Sequence, residues 1–149
     1  MEKKNKKLEH EIVFEKLTSF YMGEASEPYS DKVLTLAYEP LNVGKMDVAS
    51  GIGDVKGTCG DSMQIYIKTV QNQIIKVTFL TDGCGTTLAC GSAVTELAKG
   101  RSPYNASKIT VQEVIDYLDG LPASHVHCAL LAIQALYEAI RDSEKNNKS

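Results

Sequence analysis

Four cysteines, at positions 59, 84, 90 and 128, are the residues of this 149-residue chain best suited to chemistry. Three of them have neighbours that change what a thiol can do. In Thr58-Cys59-Gly60-Asp61 a thiol and a carboxylate stand two places apart, and in an extended segment both project from one face. Two anions so placed repel unless a cation lies between them, so the pair makes electrostatic sense in a metal site. By itself the segment reads equally well as a turn with an Asp cap and a small core Cys. Gly83-Cys84-Gly85 puts a second thiol at a helix start, where free N–H groups and the helix dipole favour a thiolate and the flanking glycines leave room. Read blandly, it is a tight strand-to-helix turn. His127-Cys128 adds a third thiol with an imidazole beside it, again in a first helical turn. Adjacent helical side chains diverge by about 100°, so both reach one ion only where the segment is not fully wound.

Cys, Cys, Cys, His and Asp together form a soft-to-borderline donor set suited to an iron–sulfur cluster or to zinc. The remaining candidates carry less. Cys90 follows Cys84 by six residues, a net rotation of about 240° on a helix, and reads as core. His125 is either a partner beside the site or a solvated helix-start histidine, and His10 stands alone. Gly51-Ile52-Gly53-Asp54 completes neither a dinucleotide nor a phosphate-loop signature. No Cys-X-X-Cys pair points to thiol redox work.

These side chains need elements to hold them. Val13, Leu17, Phe20 and Tyr21 recur at helical spacing behind a lysine-rich start, which predicts a basic amphipathic extension over 1–28, ended by Gly23 to Pro28. A folded domain is expected over 29–143 and a flexible tail over 144–149. Ser30 or Asp31 caps a short helix through Tyr38, with Val33, Leu36 and Ala37 inward. Period-two alternation then predicts a hairpin: Met63, Ile65 and Ile67 on one strand, Ile75, Val77 and Phe79 on the other, with 70–73 as its turn. The glycine-bearing stretch 52–56 is a weaker third strand. Three helices follow, one from Cys84 to a Gly100 C-cap, one behind the Thr110/Glu113 capping box, and one from about Ser124 with a stripe of Val126, Leu130, Ile133, Tyr137 and Ile140. Strands followed by helices imply an α+β fold, a small antiparallel sheet packed against helices. Cys59 and Cys84 then fall at the same end of the hairpin, and the last helix needs only to aim its first turn there.

Composition excludes several classes. With 43% hydrophobic and 23% charged residues the chain supports one globular core. A net charge of −3 and a pI near 5.6 argue against nucleic-acid binding. No apolar run is long enough to span a membrane and no signal core follows the early lysines, so a cytoplasmic protein with reduced thiols is expected.

From about Tyr29 to Ile140 the chain resembles the IscU/NifU-type iron–sulfur cluster assembly scaffolds. The resemblance rests on Tyr29-Ser30-Asp31-Lys32-Val33, Glu39-Pro40-Leu41-Asn42-Val43-Gly44, Cys59-Gly60-Asp61, Gly83-Cys84-Gly85 and His127-Cys128, with the cysteines separated by 25 and 44 residues. It implies a carrier, not an enzyme: sulfur from a cysteine desulfurase and iron from an iron donor are assembled into a [2Fe-2S] cluster and passed to ferredoxin or other apo-proteins. It implies that Cys59, Cys84 and Cys128 are cluster ligands, that Cys128 is the first persulfide acceptor, that Asp61 and His127 are auxiliary metal groups, and that Zn2+ can occupy the same site. Members served by an Hsp70-type chaperone carry Leu-Pro-Pro-Val-Lys before the His-Cys pair. Here the segment is Leu121-Pro122-Ala123-Ser124-His125, so that partner is not implied. Suf-type relatives have a longer insert before the third cysteine and lack the histidine. The extension and Cys90 lie outside the family pattern. The competing class is a closed zinc module without sulfur chemistry.

Overall fold

Strands β1 (Gly51–Lys56), β2 (Ser62–Val70) and β3 (Gln73–Thr81) form one antiparallel sheet in chain order. The computed structural model describes residues 29–58 and 60–147, so the expected extension over 1–28, Cys59 and the last two residues lie outside it. The expected α+β architecture with a three-stranded sheet is the one that forms. Gln71 and Asn72 both take positive φ, 50° and 63°, which makes the β2–β3 connection a two-residue turn whose twist suits a hairpin.

One expectation of the strand pattern is overturned at this hairpin. Alternation predicts Ile75 on the inner face, but Ile74 is fully buried and Ile75 is 48% exposed. The register shifts between Lys68 and Thr69, so that Lys68 faces Lys76 while Thr69 faces Ile74. An irregularity of this kind reverses which residues point inward beyond it. Nearer the other end Met63, Ile65, Ile67, Val77 and Phe79 are buried as their spacing predicts.

Helices cover the sheet. α1 (Asp31–Tyr38) is capped by Ser30, whose Oγ accepts from Val33 N, and it buries Val33 and Leu36. α2 (Gly85–Ala98) is central and buried over most of its circumference, Cys90 included. After the short α3 (Pro103–Ala106), Thr110 caps α4 (Val111–Tyr117) by accepting from Glu113 N. A 3-10 turn, Ala123–His125, leads into α5 (Val126–Asn147). No described helix is long and apolar enough to cross a membrane.

The expected stripe on α5 is also corrected. Leu130 is 46% and Tyr137 36% exposed, and the inward face is Cys128, Ala129, Leu131, Ala132, Ile133, Ala135, Leu136, Ala139 and Ile140. The reason lies on the strand it crosses. A Cβ on Gly53 would stand 2.1 Å from the Ala135 carbonyl oxygen, and one on Gly51 2.1 Å from that of Ala139. Helix backbone thus touches strand backbone, with Ala135, Ala139 and Ser143 along the seam. Asn146 Nδ2 donates to Ser50 O and Asp142 Oδ2 accepts from Ile52 N, so the far end of α5 covers the β1 edge. The β3 edge is covered in turn by residues 42–44, through Phe79 N to Asn42 O and Gly44 N to Phe79 O, and by Gly100 and Arg101 on either side of Ile74.

Candidate metal centre

The site lies where β2 begins, β3 ends and α2 and α5 start. Its loops are tied by short polar contacts. Ser62 N donates to Asp82 Oδ1 at 2.7 Å, which holds that carboxyl below its ordinary pKa, and Thr81 Oγ1 donates to Ser62 O at 2.6 Å. Gly83 N donates to Thr81 Oγ1, and Gly57 N donates to Asp61 O at 2.6 Å. Gly83 is required here, because a Cβ on it would stand 2.6 Å from Thr87 Oγ1.

Thr87, fully buried in the first turn of α2, is the hub of the site. Its hydroxyl lies 3.3 Å from Asp61 Oδ2, 3.6 Å from Cys128 Sγ and 3.7 Å from Cys84 Sγ. Cys128 and Cys84 share a proton. Cys128 donates to Cys84, and that bond, aided by the backbone and hydroxyl of Thr87 and the backbone of Thr86, brings the Cys84 thiol down to about 4. The same bond and burial push Cys128 far up. No hydrogen bond of ordinary geometry runs from the Cys84 side chain to cap α2, so the thiol partner outweighs the helix end as the cause. The pair thus favours the charge on half-buried Cys84 and the proton on Cys128, which is 1% exposed.

Two histidines flank the pair. His127 Nε2 is 3.6 Å from Cys128 Sγ. The ring of His125 stacks on that of His127 with centroids 6.0 Å apart, and it offers a nitrogen that lies with both sulfurs in a group whose atoms are all within 4.8 Å of one another. His125 Nε2 bonds Tyr29 Oη at 2.8 Å.

Of the residues expected from sequence, Cys84, Cys128 and His127 are adjacent, and Asp61 joins them through Thr87. Cys59 lies outside the described residues. Cys90 is completely buried, its thiol pushed up by desolvation and by the Cys84 charge, which is the behaviour of a core residue. Sequence reasoning gave no role to Thr87 or Tyr29 and left His125 open. The signals that could have found two of them are local: Thr87 follows Cys84 by three residues, and His125 precedes Cys128 by three, the spacing that puts side chains on one helical face. Tyr29 had no such signal.

Two thiols, an imidazole and a carboxylate gathered at one end of a small α+β sheet form a donor set suited to a soft or borderline metal ion. Residues 28–149 match the family model for the NifU-like N-terminal domain, and the chain belongs to that family. It is 45% identical over 120 residues to the iron–sulfur cluster assembly scaffold protein IscU 1 of Archaeoglobus fulgidus, covering 80% of this chain and 78% of that one. Over 117 residues it is 38% identical to the IscU scaffold protein of Aquifex aeolicus, covering 76% and 74% of the two chains. Among solved structures, the N-terminal part of a nitrogen-fixing NifU-like protein from Brucella abortus has the same fold, with a TM-score of 0.65 at 15% identity over 77% of this chain and 93% of that one.

Proposed function

We propose that this protein is an iron–sulfur cluster assembly scaffold, which takes sulfur from a cysteine desulfurase and iron from an iron donor, builds a labile [2Fe-2S] cluster and passes it to ferredoxin or other apo-proteins. The observation that supports this best is the grouping of Cys84, His125 and Cys128 within 4.8 Å at a half-buried end of the sheet, in a chain 45% identical to a named scaffold. The donor set fits the cargo: thiolates and imidazole suit iron and zinc, and Cys59 on the neighbouring 57–61 loop is the third proposed thiolate. Asp61 and His127 are the proposed auxiliary ligands. The carboxylate is a hard donor in a soft set, which favours release over retention. Zn2+ would bind at the same place.

The shared proton sets the order of events. Cys84 carries the charge that meets an incoming cation, and Cys128 can ligate only after its proton leaves, so loading releases protons and tightens as pH rises. For sulfur transfer, a thiolate attacks the terminal sulfur of the desulfurase persulfide and the desulfurase cysteine departs as thiolate. Cys128 is the proposed first acceptor. Since it is 1% exposed and its thiol is pushed up, it must become accessible and lose its proton before it can act. The protein is a carrier in this scheme and turns over no small substrate. Reduced thiols place it in a reducing compartment such as the cytoplasm.

The test is anaerobic reconstitution of the metal-free protein with ferrous iron, cysteine and a cysteine desulfurase, followed by visible circular dichroism and by mass spectrometry of each cysteine. Cluster bands that pass to an apo-ferredoxin, with early persulfide on Cys128, are expected. Persulfide on Cys84 alone would overturn the acceptor assignment. A colourless protein that holds only zinc would overturn the scaffold reading and favour a zinc module.

A further inference from the structure

Within the reading of this end of the sheet as a metal and cluster site, we infer that His125 is itself a ligand, through Nδ1, and that Tyr29 is the residue that positions it. The two ring nitrogens have different surroundings. Nε2 is taken by the Tyr29 hydroxyl at 2.8 Å. Nδ1 is buried and has no hydrogen-bond partner among the described residues. A buried polar nitrogen left unsatisfied costs about 1 to 3 kcal/mol, so its persistence asks for a partner that the protein does not supply. Two sulfurs lie within 4.8 Å of a nitrogen of this ring, and with Nε2 engaged, Nδ1 is the one left to offer.

The phenol can either donate to Nε2 or accept from it, and the second arrangement is the one a ligand needs. When Nε2–H donates to the phenol oxygen, Nδ1 keeps its lone pair, which is the form a metal binds. A histidine ligand whose far nitrogen is anchored in this way is both oriented and made more basic. The Tyr29 and His125 rings, 5.6 Å apart between centroids and tilted by 55°, also limit rotation of the imidazole. His127, exposed and 3.6 Å from Cys128 through its Nε2, has no described anchor of this kind. The site thus has a pre-set nitrogen in His125 and a freer one in His127.

The probes are Zn2+ and Co2+ alone, added to the full reduced chain. In long-range proton–nitrogen NMR of the zinc-loaded protein, His125 should show Nδ1 shifted as a metal-bound nitrogen with the proton on Nε2. His125→Gln should weaken zinc binding, read by chelator competition, by about 10- to 100-fold and change the cobalt ligand-field bands. Tyr29→Phe keeps the ring but removes the anchor, so it should weaken binding by about tenfold and leave His125 as a mixture of tautomers. An unaltered His125 signal on zinc loading, in wild-type protein where folding is not in question, would overturn the inference. So would wild-type affinity in His125→Gln. The site reading itself fails separately: zinc binding that survives Cys84→Ser together with Cys128→Ser would show that the ion sits elsewhere.

Discussion

α5 meets the rest of the molecule in two ways within three turns. Around Ala135 and Ala139 its backbone lies directly on Gly53 and Gly51 of β1, so closely that a single methyl has no space. At its start, Cys128 lies 3.6 Å from the Thr87 hydroxyl, the preceding His125 lies 2.8 Å from that of Tyr29, and Cys84 is within 4.8 Å of both Cys128 and His125. The first contact is one of backbone against backbone, set by the missing side chains of two glycines. The second is polar, shares one proton between two sulfurs and leaves one imidazole nitrogen unsatisfied. One helix therefore combines a close-packed mount with a polar tip.

Breaking the mount should have the largest effect. Gly53→Val would force β1 and α5 apart, and a loss of about 3 kcal/mol or more in urea unfolding is expected, since overpacking at a backbone contact cannot be relieved by a rotamer change. A loss below about 1 kcal/mol would show that the helix can step off the strand. Changing the tip should alter chemistry more than stability. Cys128→Ala removes the main cause of the low Cys84 value, so the pH midpoint for alkylation of Cys84 should rise from about 4 toward the ordinary thiol range, with a stability cost of about 1 kcal/mol. The sign follows from the lowered value: in the unaltered protein Cys84 is a thiolate throughout the neutral range and loses reactivity only as pH falls through about 4. At pH 6 peptide mapping should find Cys84 labelled and the protonated, buried Cys90 and Cys128 unlabelled. Equal labelling of all three would contradict the shared proton. The smallest structural effect belongs to Asp61→Ala, within about 0.5 kcal/mol in stability. Its expected readout is a reconstituted cluster that survives chelator challenge longer than the wild-type one. Faster bleaching would assign the carboxylate a holding role instead.

Removing metal from the loaded protein sharpens the same contrast. Chelation should lower the melting temperature, because bound metal stabilises the folded state through the loops at the tip, while the Gly53 seam carries no ligand. An unchanged melt would mean that the loops are ordered without metal.

Much of this was readable in the chain, and what was readable was local. Ser30 and Thr110 cap their helices as their types predict, because a cap needs only the next three residues. Period two placed β2 and β3, which carried Cys84 to the end of the hairpin where the 57–61 loop also lies. Failures came where a second element decides. Ile74 replaced Ile75 because a register shift sits across the strand pair, and Leu130 and Tyr137 turned outward because the helix lays the face of Ala135, Ala139 and Ser143 against the glycines of β1. The donor types and their order along the chain were thus determined by sequence alone. Which of them meet was decided by tertiary structure: the Tyr29–His125 bond joins residues 96 apart, and no periodicity or capping rule reaches that far, because its geometry exists only after the sheet and α5 have packed.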